Sequence, residues 1–164
     1  MFKKEKTIMN KLIVITLLIF LVRIPAYGSE VAVCSSSEGY SYYPNYGIVE
    51  ESKSGMTKDK VTGGRTTLKN LGNNKYDILF SSADGSIAST IQDGGSVYPL
   101  ILTSSSISVL NIYPGLNAEI YSFWKEDNGK YKYSMQQSRI GDNLLIRKIN
   151  LLVGNCSYIN FSGM

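Results

Sequence analysis

From residue 30 onward, short stretches rich in β-branched and aromatic residues are interrupted by Gly, Asn and Asp clusters every eight to twelve residues. That rhythm leaves little room for an amphipathic helix and is the pattern of an all-β fold. Candidate strands fall at 31–35, 40–49, 65–71, 75–81, 86–90, 97–102, 107–113, 118–125, 130–137, 144–149 and 157–161. Between them, Gly72-Asn73-Asn74, Asp84-Gly85, Asp93-Gly94-Gly95 and Asn128-Gly129 supply residues that tolerate positive φ, as tight hairpins require. Hairpins join antiparallel neighbours, so these turns predict an antiparallel meander. Roughly 8–11 short strands with one apolar face must then close as a barrel-like or sandwich domain.

Alternation assigns the faces of two strands. Tyr76, Ile78 and Phe80 point one way, with Asp77 and Leu79 opposite. Ala118, Ile120, Ser122 and Trp124 oppose Glu119, Tyr121 and Phe123, so large apolar groups fall on both faces of that strand. Such a strand suits a central position or an occupied cavity. Residues 50–64 are polar and glycine-bounded and read as a long surface loop, whereas 144–153 is apolar enough for a strand or a short helix, and strand is the favoured reading. The dipeptide Tyr-Pro recurs at Tyr43, Tyr98 and Tyr113, where proline cannot donate to a ladder and marks strand edges or ends.

The N-terminus carries a different signal. Lys3, Lys4, Lys6 and Lys11 precede an apolar run over 12–22, and Ala26-Tyr27-Gly28 places small residues where a signal peptidase reads them. The run is short against the roughly 18–20 residues needed to span a bilayer, and Arg23 and Pro25 close it. Residues 1–28 are therefore expected to be a helical, cleaved signal peptide of bacterial type, and 29–164 a single exported β domain without a membrane span. The bulky Val33 before Cys34 does not make a lipidation site. The destination is periplasmic or secreted.

The leader also owns the charge. It holds five of the 17 basic residues and one of the 13 acidic ones, leaving 12 of each in the exported part. A nucleic-acid partner needs a concentrated positive face, and the largest local excess is Arg147-Lys148. Cys34 and Cys156, near the two ends of the exported part, meet an oxidising compartment and are expected to form a disulfide. They lack the C-x-x-C spacing of a redox pair. A bond between them would make the first and last strands neighbours.

Chemistry is scarce. There is no histidine, so the commonest general base and metal ligand are missing together. The runs Ser35-Ser36-Ser37 and Ser104-Ser105-Ser106 have no base beside them in the sequence. Asp84, Asp93 and Asp142 adjoin glycine in turns, and only Asp77 and Glu119 lie in candidate strands, where they are expected to face solvent. No catalytic, metal or cofactor residue is assigned, and an enzyme is not expected.

The unusual feature is the tyrosine cluster Tyr40, Tyr42, Tyr43 and Tyr46. Tyrosine offers broad contact area with a polar tip, which makes the cluster a candidate binding surface. Alternatively, Tyr40, Tyr42 and Tyr46 line one strand face and pack in the core. Two functions follow as expectations. One is a non-catalytic binding or inhibitor-type protein of the bacterial envelope, whose partner is an envelope protein or glycan. The other is a carrier of a small apolar ligand, held in a barrel cavity lined by Phe80, Ile120 and Trp124.

Overall fold

The structure is a computed structural model and describes residues 28–163. The expected signal peptide, residues 1–28, lies outside that range but for Gly28. The strands are β1 (Ser29–Tyr43), β2 (Gly55–Val61), β3 (Arg65–Gly72), β4 (Lys75–Ser81) and β5 (Ile87–Ser89), followed by β6 (Ser96–Leu102), β7 (Ser106–Tyr113), β8 (Asn117–Lys125), β9 (Tyr131–Arg139) and β10 (Lys148–Ile159). One 3-10 turn, Glu51–Lys53, precedes β2. All pairings are antiparallel, in the order β5-β4-β3-β1-β10-β9-β8-β7-β6, with β2 on β1 beside β3. The sheet curls into a half-barrel.

Two meanders make up most of it, β3 to β5 and β6 to β10, each with consecutive strands side by side. The uninterrupted meander expected from the turns is broken, because β2 does not pair with β3 and β5 does not pair with β6. β1 inserts between β3 and β10, so the first and last strands form the centre of the sheet. Cys34 and Cys156 are opposed in the β1–β10 ladder and bonded, tying residues 122 apart in sequence.

The candidate strands 31–35 and 40–49 fuse into one 15-residue strand because nothing between them enforces a turn. The mismatch is absorbed by register shifts on either side of Cys34. Gly154 belongs to this device, since a Cβ there would meet the ring of Tyr133 and, at 2.6 Å, the carbonyl of Ser36. The Tyr133 hydroxyl donates to the Ser35 carbonyl at 2.9 Å and fastens β9 to the irregular stretch.

The stretch 50–64 is not a loop. β2 occupies half of it, pairing residue for residue with the C-terminal half of β1. Its composition misleads because Lys58, Asp59 and Lys60 are what an edge strand carries to discourage further pairing. The Asp93-Gly94-Gly95 turn also has another role: residues 90–95 join β5 on one margin to β6 on the other instead of closing a hairpin. Hydrogen bonds from Thr90 N to Ile78 O (3.0 Å) and Gly95 N to Thr90 O (2.8 Å) hold this crossover. Gly72, Asn73 and Asn74 do take positive φ, as their turn chemistry predicts.

The register separates two faces. On the core face, Ile78, Leu68, Ala32 and Ile159 form one row, and Ile107, Phe123 and Tyr133 another, all buried. Phe123 stacks between Tyr121 and Tyr133 at ring distances of 6.5 and 6.1 Å. The opposite face, over β2, β1, β10, β9, β8 and β7, is open.

Candidate functional site

The open face is the first candidate. Because facing residues in an antiparallel ladder share a side, the register lines up Lys58, Tyr40, Leu151, Gln136, Ile120 and Leu110 across six strands. The adjacent row runs Met56, Tyr42, Ile149, Ser138 and Ala118. Between them lies a solvent-open trough of about 660 Å³ with no charged side chain in its lining. Several of its apolar members are exposed, Tyr40 at 53%, Leu151 at 51% and Met56 at 68%, while Leu110 and Ile120 are half-buried. β10 explains why. Ile149, Leu151 and Val153 point outward while Asn150, Leu152 and Gly154 point inward, so its outer side is the more apolar one.

The tyrosine cluster is split by this geometry. Tyr40 and Tyr42 face outward into the trough, so they do not pack in the core. Tyr43 faces the other way and its hydroxyl approaches Asp59 Oδ2 at 3.4 Å. Tyr46 lies beyond the strand, with the Arg147 guanidinium 3.7 Å from its ring centroid. The proposed cavity lining is also divided. Phe80 shares the core face with Thr66 and Cys34, whereas Ile120 and Trp124 lie on the open side of β8. The three therefore line no common cavity, and of them only Ile120 borders the trough. Alternation within each strand was legible, but matching the faces of β4 and β8 requires the register between them.

The second candidate is a polar row on the core face. Glu119 is 8% exposed, not solvent-facing. Asn111 Nδ2 (2.9 Å) and the Tyr121 hydroxyl (2.9 Å) donate to its Oε2, and Asn117 Nδ2 (2.7 Å) and Gln137 Nε2 (2.7 Å) to its Oε1. Asn150 Nδ2 continues the row by donating to Gln137 Oε1 at 3.2 Å. All these partners of Glu119 are neutral. Burial, reinforced by the adjacent Glu119 charge, pushes the Tyr121 phenol well above its ordinary range, so it remains a donor. The row joins β7, β8, β9 and β10 and fixes their register.

Asp77 is likewise buried, at 7% exposure. Ser89 Oγ (2.7 Å) and the Ile91 amide (3.2 Å) donate to it, so it anchors the crossover after β5. Asp59 receives the Ser41 hydroxyl at 2.6 Å and lies 3.3 Å from Lys148 Nζ. The Ser41 bond is the largest effect; it outweighs the opposing effect of burial and, joined by Lys148, holds the carboxyl below the usual range. Asp84 is a turn residue lowered to about 2 by hydrogen bonds from the Ser82 hydroxyl and the Ser86 amide. Among the described residues, no group of three His, Cys, Asp or Glu side chains is arranged to hold a metal ion.

Comparison with protein-family models, curated proteins and solved structures found no match to this chain. Its function is therefore read from its own surfaces. Sequence reasoning missed Met56, Leu110, Ile149 and Leu151 in the trough and Asn111, Gln137 and Asn150 in the polar row. For the trough, the signal was present in 149–153, whose apolar side chains occupy both parities. For the polar row there was no local signal, because its members are brought together only by register.

Proposed function

We propose that the chain is an exported, non-catalytic binding protein of the bacterial envelope, released from its leader after Gly28, and that the open trough is its binding surface. The carrying observation is the trough itself: exposed Tyr40, Tyr42, Ile149 and Leu151 form one continuous apolar strip on a folded sheet. Extended exposed apolar surface on a small protein marks a contact site more often than chance burial would leave. The Cys34–Cys156 disulfide is consistent with export to an oxidising compartment. A non-catalytic role is supported by the chemistry at hand: no histidine, both cysteines bonded, and Asp77 and Glu119 engaged by neutral donors.

The test compares capture of envelope components by immobilised wild-type protein with capture by Leu151→Glu and Tyr40→Ala. Both variants should lose the same component while keeping the wild-type unfolding temperature. Unchanged capture, or unfolding of the domain by Tyr40→Ala, would overturn the reading.

A further inference from the structure

The shape and edges of the trough narrow the class of ligand, an inference that rests on the binding role above. We infer that it takes an amphiphile with one hydrocarbon chain and an anionic head, the chain across β10 and β8 and the head at Lys58. The volume, about 660 Å³, is that of a small-molecule site. Across the middle, Leu151, Ile120, Leu110 and Ile149 offer only hydrocarbon, with the neutral Gln136 and Ser138 between them. A ligand segment lying there gains by being apolar, since a charge would be desolvated with nothing to pair it.

One margin differs. Lys58 faces Tyr40 directly across the β1–β2 ladder, so it stands on the same face just outside the trough lining, in an adjoining hollow shared with Glu38, Tyr40 and Lys60. It is exposed and takes part in neither ion pair among the described residues, which are Arg147–Asp142 and Lys148–Asp59. Glu38, the open-face carboxylate nearest this margin, opposes Lys60 in the same ladder. With Lys58 and Lys60 against Glu38, the open face at this margin carries a net positive charge, and charge complementarity selects an anionic head over a cationic one.

The test is calorimetric titration of the oxidised protein with dodecanoate, dodecyltrimethylammonium and dodecyl maltoside, each below its micellar concentration. Dodecanoate should bind one per chain, about two- to fivefold more tightly than dodecyltrimethylammonium, as one exposed charge contact warrants. Lys58→Glu should reverse that preference, and Leu151→Glu should abolish binding of all three without changing the unfolding temperature. Equal affinity for the three heads, or binding untouched by Leu151→Glu, overturns the inference. So does a dimer in sedimentation that Leu151→Glu disperses, because a second copy then fills the trough. If no amphiphile binds while Leu151→Glu still loses the captured envelope component, the inference falls and the binding role stands. If Leu151→Glu alters neither, both fall.

Discussion

At the scale of single residues, the most consequential group is Glu119, a carboxylate with four neutral donors and little exposure to water. Glu119→Gln keeps the shape but turns one oxygen into a donor facing donors. Since each unpaired buried group costs about 1–3 kcal/mol, the variant should lose about 2–4 kcal/mol in chemical denaturation. Asp59 supplies a pH test. Its carboxyl is held low in the fold, chiefly by the Ser41 hydroxyl. The stability it contributes is therefore complete above the unfolded carboxylate range, near pH 4, and is lost as pH falls through its lower folded value. Ser41→Ala should raise the Asp59 titration midpoint, read by carbon NMR of the carboxyl, and should flatten the acid side of the stability curve. Neither carboxylate's setting could be read locally. Strand alternation placed Glu119 opposite Ile120, but burial of that side depends on β7 and β9 bringing Asn111 and Gln137 alongside.

At the scale of elements, the turn chemistry was well legible and the edges were not. Asn73 and Asn74 adopt the conformations their residue types favour, so the β3–β4 hairpin follows from sequence. β2 was hidden because lysines and an aspartate on an edge strand look like a solvated loop. β1 was divided in two because its bulge at Ser35-Ser36 resembles a turn, although the chain stays extended through it. This junction is a sensitive point. Gly154→Ala would drive a methyl group toward Ser36 and Tyr133, and overpacking of this kind should cost about 1–3 kcal/mol, read as a lowered unfolding midpoint. The disulfide closes the same junction. Replacing Cys34 and Cys156 together by serine should remove about 4–5 kcal/mol in the loop-entropy account of a closure this long.

At the scale of the whole molecule, the all-β class, the antiparallel pairing and the neighbouring first and last strands were readable from turns and cysteines. The strand order was not, because no residue in β1 specifies that it will lie between β3 and β10. That central position has a consequence for how the protein is made. Polypeptides are synthesised from the N-terminus, so Cys34 and its strand emerge more than a hundred residues before Cys156. Until then β1 lacks its partner on one side, and the pairing that unites the two meanders is among the most distant along the chain. Contacts of that separation are slow to form. The sheet is thus completed only after β10 has been made, and an oxidant that reaches Cys34 earlier meets a thiol whose native partner does not yet exist.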